Sequence, residues 1–495
     1  MQMDRQTNRS EHKRSTATRL IDGGALLLVS LGLAGCMFHG STPDIRVPER
    51  FTSNNQTQRE VDLAQNPWWE NLGSKELNSL VQEGLERNKQ LSLAIKNVEL
   101  AQASLETIKL GWIPSVNLLA GRASGNTTTF VSNLPIPVTS STGFLAFIPS
   151  FLANIIQLPN QIKGASKNVE ASAADYLSVR TSISAQIVSA YAVLLASHEE
   201  ERGLKDLKAD LQSRVNTTRA MAVKGLTSQT ALNDMESEMH KLESQIAQNK
   251  ANQVSAKNAV LILLGRSIGP FDIQGRFSDL KIEQAAPGNT PASVINSRPD
   301  VAAARAKIDA ADYGISAAAS MIAPEINLTY VGTNINTTTN GSGGNTNANM
   351  RSAVALIALN PQVIGYINTS NKRYDAALIQ YVEVVDNALR EIDNALVDFE
   401  TNNQKLKFEE RSLKNTEVNT GTFDAMLQKG LISQSQYLEL KAKLYLANIA
   451  ILQTKTQTLI AYSKLYQNMG GGASFNEKQY SIQKQLVKST QPNED

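Results

Sequence analysis

Residues 224–230 read KGLTSQT, and residues 429–435 read KGLISQS. The stretches lie 205 positions apart and share Lys, Gly, Leu, Ser and Gln in register. Each sits between long segments whose apolar residues recur every three or four positions, the spacing of one helix face. A glycine between two such segments supplies the left-handed residue on which a helix ends. The reading is one sharp turn between two antiparallel helical rods, written twice.

The repetition extends well beyond the turns. Ile113-Pro114-Ser115-Val116-Asn117-Leu118 returns as Ala323-Pro324-Glu325-Ile326-Asn327-Leu328, at an offset of 210. Leu91, Ala94, Val98 and Ala101 match Val301, Ala304, Ile308 and Ala311 at the same offset. Tyr176 pairs with Tyr381 and Gly265 with Gly470 at an offset of 205. The chain is therefore read as an internal duplication. The expected segments are a signal at 1–35, a linker at 36–66, a first repeat at 67–265, a linker at 266–296, a second repeat at 297–472 and a polar tail at 473–495.

At 495 residues, with 41% apolar and only 5% aromatic side chains, the composition suits long helices with small contacts better than a dense aromatic core. The 48 basic and 46 acidic side chains exclude a strongly basic nucleic-acid binder, so no nucleic-acid partner is expected. Residues 1–35 combine a basic start (Arg5, Arg9, Lys13, Arg14, Arg19) with a short apolar run, Ala25 to Ala34. This is the form of a secretory signal, too short to span a membrane as a mature helix. The protein's single cysteine, Cys36, follows Leu33-Ala34-Gly35. The sequence LAGC resembles the bacterial lipobox, which implies a covalent lipid on Cys36. Met37 stands where an Asp would mark inner-membrane retention, favouring the outer membrane.

Each repeat opens with a helical stretch: Leu77, Leu80, Val81, Leu85, Leu91, Ile95 and Val98 in the first. In the second, Asn296 or Ser297 caps a helix with Pro299 and Asp300 in its first turn. After each proline the period changes to two, giving strands from Val116 and from Ile326. Return strands are expected at Gly143 to Ile148 and Asn349 to Leu359, with long polar loops at Asn126 to Thr142 and Asn336 to Asn347. Strand pairs joined by such loops fit an outer-membrane barrel hairpin, although the strand pattern alone fits an ordinary soluble hairpin better. Four strands cannot close a barrel, because open edges leave backbone groups unsatisfied in hydrocarbon. Two chains would give eight strands and three would give twelve.

Beyond the strands, residues 162–223 lack proline and read as one helix of roughly 90 Å at 1.5 Å per residue. Leu232, Met235, Met239, Leu242 and Ile246 form a coiled-coil seam. Past the second turn there are two stripes. Tyr437, Leu440, Leu444, Ala447 and Ile451 form one, and Leu438, Tyr445, Leu452, Leu459 and Tyr466 the other. A helix with two stripes packs on both sides.

The run PWWENLGSKELNSLVQEGLERNKQL, the SRPDV helix start, the IPSVNL and APEINL strand entries and the paired KGL-S turns resemble the TolC-type outer-membrane efflux proteins. With LAGC, the chain is similar to the lipoprotein branch of that family. The resemblance covers about residues 43–470. It implies a mainly α fold with a membrane β-barrel: a homotrimer sharing one twelve-stranded barrel, four strands per chain, continued by a long periplasmic α-helical barrel. It further implies a passive exit duct in the bacterial outer membrane, in contact with outer-membrane lipid. The duct would be coupled through a periplasmic adaptor (membrane fusion) protein to an inner-membrane transporter.

The resemblance makes the turns adaptor-contacting tips: Lys224, Gly225, Leu226 and Ser228 in the first, Lys429, Gly430, Leu431 and Ser433 in the second. It makes Asp234 and Glu439, each nine residues past its tip glycine, an acidic constriction. Gln436 stands where some relatives have a second acid. Relatives often carry Arg and an aromatic residue before the tip glycine. Here those positions are Met221 and Ala222, then Met426 and Leu427.

Two other classes fit the sequence less well. His12, His39, His198 and His240 have no ligand-spaced partners, and no phosphate loop, nucleophile elbow or HExxH occurs. No enzyme, metal site or cofactor beyond the lipid is expected. A periplasmic coiled-coil lipoprotein tether would explain the helices and Cys36 but not the polar-loop hairpins.

Overall fold

A computed structural model describes residues 47–52, 67–131, 134–282, 289–339, 342–356 and 360–472. The signal, Cys36 and the tail after Gly472 lie outside the described residues. The elements come in two sets. The first set is α1 (Lys75–Arg87), α2 (Lys89–Lys109), β1 (Ser115–Val131), β2 (Leu134–Asn154), α3 (Gln157–Val223) and α4 (Gln229–Leu263). The second is α5 (Pro291–Ser297), α6 (Pro299–Ala319), β3 (Glu325–Thr339), β4 (Ser342–Leu356), α7 (Gln362–Gln428) and α8 (Gln434–Asn468). Helices α3 and α7 each have 67 residues, and α4 and α8 each have 35. At 1.5 Å per residue the long ones contain about 100 Å of helix each.

The two compact units do not follow the two repeats. One unit takes residues 101–169 and 305–380; the other takes 45–100, 170–304 and 381–472 of the described chain. Each draws on both repeats.

In the first unit the four strands form one antiparallel sheet in the order β1-β2-β3-β4. Hairpin β1–β2 runs in register from Ser115↔Ser150 to Val131↔Leu134, and β3–β4 from Glu325↔Leu356 to Thr339↔Ser342. The two hairpins, one from each repeat, join through β2 and β3. That ladder skips Ile148 and Pro149 and resumes at Ser150↔Thr329, because proline has no N–H to give. The expected long loops are corrected here: Asn126 to Val131, Leu134 to Thr142, Asn336 to Thr339 and Ser342 to Asn347 are strand. Thr, Ser and Asn satisfy a ladder with their backbones whatever their polarity, so hydropathy alternation could not reveal it. Among the described strands, β1 and β4 each have one neighbour, leaving two open edges.

In the second unit the cores are helical. Trp68 is fully buried, stacks on Tyr466 with centroids 5.4 Å apart, and meets Tyr462 edge-on at 5.8 Å. Trp69 and Phe399 belong to the same core. Ile183, Ile187, Val188 and Tyr191 of α3 pack in the same core.

Two helix boundaries differ from expectation. The first helical stretch breaks at Asn88, whose backbone is extended (φ −60°, ψ 132°). Asn296 and Ser297 lie inside α5, which Thr290 caps by accepting from Ser293 N–H. The breaks at Asn88 and Arg298 occupy equivalent positions and do the same work. The Asn88 side-chain amide donates to the Leu263 carbonyl at 2.8 Å. The Arg298 guanidinium donates to the equivalent Asn468 carbonyl at 2.6 Å. Each satisfies a carbonyl left open at the end of α4 or α8. Local spacing cannot show these bonds, because the partners lie at least 170 positions away.

Candidate functional site: the paired helix tips

Both turns are built alike. At the end of α3, Leu226 N–H donates to the Met221 carbonyl at 2.9 Å and Gly225 N–H to Ala222 at 3.0 Å. At the end of α7, Leu431 N–H donates to Met426 at 2.9 Å and Gly430 N–H to Leu427 at 3.0 Å. These paired bonds define a Schellman ending, which needs a left-handed residue. Gly225 and Gly430 supply it with φ of 68° and 71°. A Cβ on either glycine would meet nothing within 4 Å.

Ser228 and Ser433 then cap the returning helices, accepting from Ala231 N–H at 3.1 Å and Gln436 N–H at 3.2 Å. Gln436 answers by accepting from Ser433 N–H at 2.9 Å, completing a capping box. Lys224 and Lys429 are exposed, and Leu226 and Leu431 are 72% and 67% exposed. The tips therefore present an apolar side chain beside a cation on a rigid turn.

The two acids are not equivalent. Asp234 is exposed and has no ion pair among the described residues. Glu439 accepts from Lys443 Nζ at 2.8 Å, one helical turn on. That hydrogen bond, with the Lys443 charge behind it, holds the Glu439 carboxyl below the usual carboxylate range. Sequence reasoning named Glu439 and missed its counter-ion, although the i,i+4 spacing was there to see.

A second omission joins the two hairpins. Arg214 of α3 is buried, and its guanidinium lies 4.7 Å from the centroid of Tyr437 on α8. Lys441 Nζ approaches the same ring at 5.6 Å. Burial first, and the hydrogen bond to Asp424 next, raise the Tyr437 phenol above its ordinary value. A cation over an aromatic face gains most when both are shielded from water. Thus the missing Arg and aromatic residues before the tip glycines do not leave the hairpins untied. The signal was an arginine beside the apolar positions Leu211 and Val215. Above it, the Tyr445 ring of α8 rests 3.2 Å from where a Cβ of Gly203 would stand. Burial, with the field of Glu200, pushes the Tyr445 phenol up to about 12.

A four-stranded sheet with open edges, long antiparallel helical hairpins and duplicated tips define an outer-membrane channel of the barrel-and-helix class. The profile of the family described as "Outer membrane efflux protein" matches residues 80–266 and 290–471, and the chain belongs to that family. It is similar to the "Cation efflux system protein CusC" of Escherichia coli (strain K12), 23% identical and covering 90% of this chain and 98% of that one. It is also similar to the "Probable outer membrane lipoprotein SilC" of Salmonella typhimurium, 21% identical over 89% and 96% of the two chains. Among solved structures it resembles the open-state Neisseria gonorrhoeae MtrE outer membrane channel. That likeness has a TM-score of 0.72 at 18% identity, covering 88% and 98% of the chains. The chain is an outer-membrane efflux channel, a transport protein, and the non-spanning tether has no support.

Proposed function

We propose that this channel is the passive exit duct of a tripartite efflux system. Three copies close one twelve-stranded barrel, Cys36 carries a lipid, and no other cofactor takes part. Energy enters from an inner-membrane pump through a periplasmic adaptor that grips the helix tips. The observation that carries this reading is the pair of open-space glycine turns, each projecting an exposed leucine. Nothing within the tip restricts what may approach it. Gly430→Trp incurs about 1–2 kcal/mol of backbone strain and is expected to impair adaptor crosslinking and efflux while leaving the trimer intact. Unaltered crosslinking would remove the tips from the adaptor interface.

Asp234 and Glu439, in three copies each, would make the mouth attractive to cations. The double change Asp234→Asn and Glu439→Gln is expected to alter single-channel conductance and reduce cation preference in planar bilayers. Because Lys443 lowers the Glu439 pKa, the Glu439 contribution is lost at a lower pH than that of an unpaired carboxylate. Lys443→Gln should bring the loss to higher pH, and an unmoved pH profile would take Glu439 out of the constriction.

A further inference from the structure

The two tips share Lys, Gly, Leu and Ser in register, so neither charge nor turn geometry distinguishes them. They differ first in how the returning helix is closed. In the second tip the Ser433 hydroxyl accepts from Gln436 N–H. The Gln436 side chain answers by accepting from Ser433 N–H at 2.9 Å and from the Ser433 hydroxyl at 3.1 Å. In the first tip Ala231 stands in the place of Gln436 and carries no acceptor. Ser228 still caps α4 through Ala231 N–H, but the reciprocal bond is missing. The start of α4 has half of a capping box, and the start of α8 has the whole.

The second difference is apolar. Met221, Val223 and Leu226 of the first tip are 46%, 85% and 72% exposed. Met221 and Leu226 occupy the positions that a Schellman ending brings side by side, and Val223 is the last helical residue between them in sequence. In the second tip Gln428 replaces Val223, Met426 and Leu427 are half-buried, and Leu431 stays exposed. The first tip thus carries more exposed apolar surface on a less completely closed turn.

We propose that the two tips divide adaptor docking: the second is pre-set and fixes register, while the first orders on contact and buries Met221, Val223 and Leu226 against an apolar side chain of the adaptor. The inference rests on the adaptor reading above. An incompletely capped turn can adjust its first residues to a partner, and the apolar area it buries offsets the cost of ordering. A turn satisfied internally loses little freedom on binding. The adaptor is the occupant because the patch is continuous with Lys224 and Leu226, the residues already read as its contact.

Hydrogen exchange on the full-length channel tests the closure difference. Amides of residues 229–233 are expected to exchange about 2- to 12-fold faster than those of residues 434–438, the worth of one hydrogen bond. Ala231→Gln should erase that difference by completing the box, and Gln436→Ala should speed the second tip. Equal rates in the unaltered channel overturn the proposal. Binding tests the apolar difference, with the same adaptor protein as in the Gly430→Trp crosslinking. Val223→Gln is expected to weaken it about tenfold, and Gln428→Val to leave it unchanged or tighter. Equal effects of these two changes overturn the division, although a loss from Gly430→Trp would still uphold the tips as the contact. If neither Val223→Gln nor Gly430→Trp alters adaptor crosslinking, both readings fall. Loss of the trimer from Val223→Gln with adaptor binding retained assigns Val223 to a contact between copies of the chain and overturns the proposal.

Discussion

Gly265→Ala is expected to cost about 2–5 kcal/mol and to collapse the yield of folded channel. Gly265 ends α4 with φ of 69°, in the left-handed region. A side chain there incurs roughly 1–2 kcal/mol of backbone strain. The surroundings add more. A Cβ would stand 2.2 Å from the Arg87 carbonyl oxygen and 2.8 Å from its carbon. Both are backbone atoms at the end of α1, next to the Asn88 break, and neither can swing aside. Overpacking of this kind adds roughly 1–3 kcal/mol.

The tip glycine Gly225 is the internal control. Its φ is 68°, yet nothing lies within 4 Å of its virtual Cβ. Gly225→Ala should therefore show the backbone term alone, about 1–2 kcal/mol. Thermal dissociation of the two variants separates the contributions. Equal losses would mean that the close approach to Arg87 contributes nothing.

Arg298→Leu is expected to destabilise the second unit by about 2–3 kcal/mol. The guanidinium is buried and donates to Asp300 at 3.0 and 2.6 Å, to Glu391 at 3.1 Å and to the Asn468 carbonyl at 2.6 Å. Removing one partner of a fully buried pair costs roughly 3–5 kcal/mol, because an uncompensated charge remains. Here Asp300 and Glu391 are partly exposed, so water can recover part of that loss and the smaller figure applies.

Lysine retains the charge but offers no planar fork, so Arg298→Lys should recover only part of the stability. Adding Glu391→Gln to Arg298→Leu should cost less than the two single changes together, since they share a partner. Strict additivity in denaturant melts would show that Arg298 and Glu391 do not act as a pair.

Much of the site could be read from the chain. Gly225 and Gly430 are where KGL-S places them, and the two-sided packing of α8 follows from its two stripes: Tyr437 and Ile451 of one and Leu459 and Tyr466 of the other are all buried. The acids Asp234 and Glu439 came from the family resemblance, and their role at a constriction is a proposal. What escaped was relational. Nothing local marks what Arg214 meets: its neighbour is Tyr437, more than 200 positions away. Ser297 looked like a cap because its side chain and position fit one. It lies inside α5, where its hydroxyl donates to the Val294 carbonyl at 2.9 Å and reaches the Met469 carbonyl at 3.1 Å. The polar strands escaped because a ladder is made by backbone groups that every residue except proline carries in full.

The sequence by itself determined the duplication, the helical rods, the positions of their turns and the points where the period changes from 3.6 to 2. Those are local properties, set by side-chain periodicity and by the few residues that accept positive φ. Only the tertiary structure decided that the compact units cut across the repeats, with one hairpin from each half forming a single sheet and one helical hairpin from each half tied by Arg214. The physical reason is that a lone hairpin leaves its edges unpaired and a lone amphipathic rod leaves a stripe in water. Each half satisfies part of these groups against the other, leaving the edges of β1 and β4 open, and no local pattern records which partner will do so.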